Sequence, residues 1–300
     1  MQIDFSKKWL QWITLILLAF VWGSSFILMK RGLDSFEPNE VAAYRIFTVF
    51  VVLAPFSFKH ISYLKGSTGL PLLAVGLFGS AFPYFLFVIS ITQITSSLSG
   101  ILNSLTPLFT LLFALLLFKQ HFKKSSIIGV SLGFVGAAGL IYFSGSEPSF
   151  DAFNLYVLLP IIAAASYGVN VNIIKMYLQT VPSLAVTALS FYIIGPLAGI
   201  YLFGFTDFID HLTNSPEGFQ SLGYITILAV IGTALAVYIF NLLIKETSAL
   251  FASSVTYMIP VFAILWGVLD GERFSMVQFI FVGVILLGIS LINNKRRFQK

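Results

Sequence analysis

A few neutral polar and aromatic residues stand in stretches otherwise built of Leu, Ile, Val and Phe. Trp22, Ser25, Tyr84, Asn103, Tyr167, Asn170, Tyr238, Asn241, Thr256 and Tyr257 are the candidates for holding a small molecule. Polar groups in such surroundings are costly and usually face a bundle interior. Amides and hydroxyls orient a solute, and aromatic faces hold apolar or cationic groups. Pro83, Pro107 and Pro260 act on the backbone instead, as hinges. A proline inside a helix donates no N–H and crowds the carbonyl four residues back. For Pro107 and Pro260 those carbonyls belong to Asn103 and Thr256. Hydrocarbon holds no water to satisfy a freed carbonyl, so such breaks survive against protein or a wet cavity. Arg45 is the basic residue lying well inside an apolar stretch. It reads as a gating or ion-pair residue, with Glu40 or Glu272 as acidic partners, or as the anchor of a substrate carboxylate. Glu40 lies five positions away, poorly placed for the same helix face.

Other chemistry is excluded. The chain has no cysteine and three histidines, and His60, His121 and His211 all fall in predicted loops. No HExxH pattern or cluster of metal ligands occurs. We therefore expect no catalytic residues, no metal and no cofactor: the protein is not an enzyme. No Asp or Glu lies near the middle of an apolar stretch. The expectation is transport without proton coupling, or coupling only through end groups such as Glu40 and Glu272.

The elements that position these residues follow from composition. Of 300 residues, 58% are hydrophobic and 10% charged, against roughly 25% charged in soluble domains. Apolar runs of about 20 residues recur throughout, the length that crosses a bilayer as helix. Ten spans are predicted, at roughly 10–29, 39–58, 70–91, 95–118, 126–143, 155–175, 183–204, 222–243, 249–269 and 276–293. With the N-terminus inside, the loop Lys and Arg fall on the cytoplasmic side except Lys30, Arg31 and Arg273, as the positive-inside rule requires. Both termini are then cytoplasmic. The net charge of +5 reflects this bias rather than nucleic-acid binding. The longest outer loop, Phe205 to Ser221, reads as a solvated connector.

An internal repeat is visible. Trp22-Gly23-Ser24-Ser25-Phe26 with Lys30 matches Tyr167-Gly168-Val169-Asn170-Val171 with Lys175. Pro38 matches Pro182, Gly79-Ser80-Ala81 matches Gly232-Thr233-Ala234, and Pro107 matches Pro260. Five spans per half is odd, so the halves enter the membrane from opposite sides. The expected fold is an all-α polytopic membrane protein of ten transmembrane helices in two inverted five-helix repeats, residues 1–146 and 147–300. Glycines mark close packing: Gly129, Gly133, Gly136 and Gly139 lie on one helix face, as do Gly195 and Gly199.

Ten helices in two halves, the Trp22–Phe26 motif with Lys30, Arg45 in helix 2, and Pro107 and Pro260 in helices 4 and 9 resemble the drug/metabolite transporter superfamily. Within it the chain is most similar to the EamA-type exporters. Two features depart from that pattern: Lys119-Gln120 stands where a Gly-Glu pair often follows helix 4, and Tyr167 replaces a frequent Trp. The resemblance implies a bacterial inner-membrane exporter of amino acids or other small metabolites, working by alternating access. It also implies that helices 1–4 and 6–9 line the path, with 5 and 10 outside. The expected partners are a small-molecule substrate and the lipid bilayer, with no nucleic acid, in a monomer or weak homodimer. The alternative is a flippase for a lipid-linked carrier.

Overall fold

The computed structural model describes residues 7–94, 96–143, 155–269 and 276–292, which form helices joined by short connections, with no strand among them. The helices are α1 (Lys8–Gly32), α2 (Pro38–His60), α3 (Gly69–Gly76), α4 (Phe82–Ile91), α5 (Ser96–Asn103), α6 (Thr106–Leu116), α7 (Lys124–Tyr142), α8 (Leu158–Tyr177), α9 (Ser183–Phe205), α10 (Phe208–Asn214), α11 (Gly218–Ala229), α12 (Ala236–Glu246), α13 (Ala249–Ser253), α14 (Val255–Leu269) and α15 (Met276–Ile292). A π-helical turn, Leu77–Ala81, joins α3 to α4, and another, Val230–Leu235, joins α11 to α12. Six helical runs are long and apolar enough to cross a membrane: Lys8–Gly32, Pro38–Leu64, Gly66–Ile91, Leu155–Tyr177, Ser183–Phe205 and Gly218–Glu246. Four shorter apolar helices accompany them: Thr106–Leu116, Lys124–Gly139, Ala249–Phe262 and Phe279–Ile292. The chain is an all-helical polytopic membrane protein.

Local chemistry sets the ends of several helices. Pro38 opens α2 in the first turn, where a missing N–H costs nothing. The Glu37 backbone N–H donates to the Glu40 carboxylate at 2.9 Å, completing a capping box. Lys175 closes α12: its ammonium donates to the carbonyls of Ile244, Lys245 and Thr247 at 3.1, 2.7 and 2.9 Å. A cation at a helix C-terminus meets both orphan carbonyls and the negative end of the dipole.

Packing is paired. α2 lies along α9 and α7 along α15, while α1 crosses α11 and α14 as α8 crosses α4 and α6. Glycine permits the closest of these approaches. A Cβ on Gly129 would fall 2.6 Å from the Gly288 carbonyl, and one on Gly139 2.2 Å from the Phe281 ring. Gly195 and Gly199 receive Phe50 and Phe47 of α2 in the same way. Both glycine faces read from the sequence are thus occupied within the chain.

Three features differ from the sequence-based expectation. The predicted spans 95–118 and 249–269 are each two helices, broken at Ser104–Leu105 and at Ser254. Pro107 does not interrupt a helix: it lies in the first turn of α6, where its fixed φ suits helix initiation. Pro260 does lie inside α14. The connector Phe205 to Ser221 is not simply solvated, because it contains α10. Phe208 is buried and stacks on Phe36 and Tyr44 at 5.0 and 5.3 Å between centroids. Apolar burial outweighs the loop's polar composition there. Glu272, Arg273 and the 146/147 boundary lie outside the described residues.

Candidate functional site

The two broken spans cross. α5 packs on α14 and α6 on α13, so the breaks meet. The Asn103 carbonyl, which a non-proline at 107 would have engaged, accepts the Thr106 hydroxyl at 2.7 Å. The Thr256 carbonyl, freed by Pro260, accepts the Ser104 hydroxyl at 3.4 Å. The Asn103 carbonyl is thus answered by a neighbouring hydroxyl, while the Thr256 carbonyl shares the Ser104 hydroxyl with the closer Gly100 carbonyl at 3.0 Å.

Beside this crossing opens a cavity with about 1030 Å³ of empty space, its mouth included. Its wall draws on every span except α7 and α15. Trp22, Ser25, Tyr84, Asn103, Tyr167, Asn170, Asn241 and Thr256 all lie on it, as does Arg45. Tyr238 does not. Tyr257 is turned away: its hydroxyl donates to the Val130 carbonyl at 2.8 Å, and its ring fills the space left by Gly133. Pro83, Pro107 and Pro260 stand behind the wall rather than on it.

The π-turns shape the interior. A wider turn puts one extra residue into the helix and displaces the backbone hydrogen bonds, a device common at functional sites. The Gly232 carbonyl, in one π-turn, accepts the Trp22 indole N–H at 3.0 Å. The Trp22 ring meets Phe240 edge-on at 5.0 Å. In the other π-turn, a Cβ on Gly79 would strike the Asn170 amide at 2.7 Å, so glycine there lets Asn170 approach. Ser25 bears on Gly232 as Asn170 bears on Gly79, at 3.2 and 2.7 Å from the respective Cβ positions. The wall thus carries equivalent contacts from its two sides.

Arg45 is 7% exposed. Its guanidinium lies 3.9 Å from the centroid of the Tyr84 ring, and its Nε donates to the Thr233 hydroxyl at 2.6 Å. Thr233 in turn donates to the Leu228 carbonyl at 3.0 Å. Glu40 points elsewhere: its carboxylate accepts His211 Nδ1–H at 2.8 Å. Among the described residues no carboxylate pairs with Arg45.

Other polar groups are partly engaged. The Asn241 amide donates to Thr187 at 2.9 Å. Ser25 and Ser190 donate to backbone carbonyls of their own helices, and Thr256 of α14 donates to the Ser253 carbonyl at the end of α13. The Asn170 Oδ1 has no partner among the described residues. Sequence reading missed Ser80, Thr106, Thr187, Ser190 and Ser253 on this wall. Serine and threonine are common in membrane helices and bond their own backbone, so their type alone did not mark them. It also missed Thr233 as a partner of Arg45, although the residue was visible in the repeat. No group of three potential metal ligands occurs among the described residues.

Comparison with known proteins agrees with this architecture. A solved crystal structure superposes with a TM-score of 0.71 at 18% identity, covering 92% of this chain and 94% of its own. The sequence is 26% identical over 294 residues to the uncharacterized inner membrane transporter YedA of Escherichia coli K12, covering 93% of this chain and 89% of that protein. It is 23% identical to an uncharacterized transporter of Archaeoglobus fulgidus, covering 95% and 99%. It is 25% identical to the S-adenosylmethionine/S-adenosylhomocysteine transporter of Chlamydia muridarum, covering 93% and 90%. The model of the EamA-like transporter family matches twice, at residues 9–142 and 154–294. With both halves matched, the chain belongs to the EamA-like transporter family.

Proposed function

We propose that this protein carries small organic solutes outward across the bacterial inner membrane by alternating access. The observation that carries this reading is the mainly apolar, aromatic-walled cavity, set with a few amide and hydroxyl groups and Arg45, beside two crossed breaks in the bundle. Discontinuous helices facing such a cavity are the usual build of a carrier site. In this reading the ten apolar runs are ten spans, residues 1–146 and 147–300 are inverted repeats, and both termini are cytoplasmic. The paired packing, the twin π-turns and the two family matches support the repeat. Trp22, Ser25, Tyr84, Asn103, Tyr167, Asn170, Asn241 and Thr256 contact the solute. The two halves rock about the crossing of α5–α6 with α13–α14.

The relative named for S-adenosylmethionine and S-adenosylhomocysteine supports solutes of metabolite size. Counterflow tests the reading. Purified protein in liposomes preloaded with unlabelled amino acids or nucleosides is expected to accumulate the matching labelled solute transiently. Trp22→Ala and Asn103→Ala are expected to reduce that accumulation about tenfold or more, as loss of packed and hydrogen-bonded contacts does. Wild-type counterflow unchanged in both variants refutes the site.

A further inference from the structure

Among the described residues the cavity wall carries one formally charged side chain, Arg45, and no Asp or Glu. An arginine keeps its proton, and a buried cation without a partner is expensive. The protein satisfies this one only in part. Nε is held by Thr233 at 2.6 Å, and one face of the guanidinium lies on Tyr84 at 3.9 Å. Neither terminal nitrogen donates to an acceptor among the described residues, and no described carboxylate is within ion-pair distance. The fork is therefore fixed by its Nε edge and its face, while the edge that suits a carboxylate stays free. Asn170 also lines the cavity, but its Oδ1 is shut off from that space against Gly79. The rings of Trp22, Phe87 and Phe240 line the same cavity.

We propose that Arg45 anchors the carboxylate of the transported solute. The cavity takes small organic carboxylates with an apolar or aromatic body. It disfavours amines and organic cations that lack a carboxylate, which the buried guanidinium repels. This assignment rests on the reading of the cavity as the transport site.

Matched probes on the purified full-length protein test it. L-tryptophan is compared with L-tryptophanamide, and indole-3-acetic acid with indole-3-acetamide and tryptamine, by thermal shift and calorimetry. Each acid is expected to bind about tenfold or more tightly than its amide or amine, since only the acid offers a carboxylate to the guanidinium fork. Arg45→Gln is expected to abolish that difference within each pair, and Arg45→Lys, which keeps the charge without the fork, to retain only part of it. Should Arg45→Gln fail to fold, the wild-type pairs and Arg45→Lys still decide. Amides or amines that bind as tightly as the acids overturn the proposal, as does an acid affinity that Arg45→Gln leaves unchanged. Acids that fail to bind while another solute shows counterflow also overturn it, leaving the transporter reading in place. Absence of counterflow for every solute removes that reading and this one with it.

Discussion

Arg45 and Glu40, seen in the sequence as possible partners, go to different places. Arg45 turns to Thr233 and Tyr84, and Glu40 to His211 and its own helix start. The second contact has a pH consequence. The hydrogen bond that His211 donates to Glu40 raises the His211 pKa above its ordinary value, with the charges of Glu40, Asp207 and Glu37 adding and partial desolvation opposing. A raised folded value means the contact contributes fully below the ordinary histidine range of about 6.5 and is lost as pH rises through the raised value. Backbone amides of Phe208–Asn214, corrected for intrinsic rates, are therefore expected to exchange several-fold faster on the alkaline side of that value. His211→Gln is expected to exchange fast at every pH. A flat profile in the wild type counts against the contact. The sequence named both residues, yet their separation of 171 positions left the pairing to the fold.

At the scale of elements, the two prolines are no longer equivalent. Pro107 starts α6 and Thr106 has taken up the Asn103 carbonyl, so alanine there changes little. Pro260 lies within α14, and its missing N–H leaves the Thr256 carbonyl to Ser104 of the opposite break. Alanine at 260 restores an N–H that competes for this carbonyl and stiffens α14. We expect initial counterflow rates within about twofold of wild type for Pro107→Ala and several-fold lower for Pro260→Ala. Equal rates in both variants and wild type would remove the breaks from the cycle. Sequence periodicity did not show these breaks, because the short polar stretches Asn103–Pro107 and Ser253–Thr256 are outweighed by the apolar residues on either side. The π-turns were likewise invisible as geometry, although Gly79-Ser80-Ala81 and Gly232-Thr233-Ala234 stood out as a repeat.

At the scale of the molecule, no carboxylate lines the cavity among the described residues. Buried acidic groups are the usual proton relays of coupled carriers. An imposed pH gradient is accordingly expected to drive no uphill accumulation in liposomes, while exchange proceeds at equal rates with and without it. Uphill movement would require a relay at the ends of the spans, with Glu40 the described candidate. The glycine faces of α7 and α9 also belong to this scale. Both are filled from within the chain by α15, Tyr257 and α2, so neither remains as a bare seam for a second copy.

What the sequence determined by itself was what composition and length control. A chain with 10% charged residues and recurrent runs of about 20 apolar ones has no stable option but helices in a bilayer. The ordered Gly, Pro, Trp and Lys positions carried the family resemblance, and the rarity of polar groups in hydrocarbon singled out most of the cavity wall. The tertiary structure decided which way each side chain turns. Tyr257 and Thr256 are neighbours in sequence, yet one plugs Gly133 while the other faces the cavity. Period and hydropathy cannot separate such residues in a bundle buried on many faces. That choice is made by where another backbone, admitted by a glycine, comes close enough to be touched.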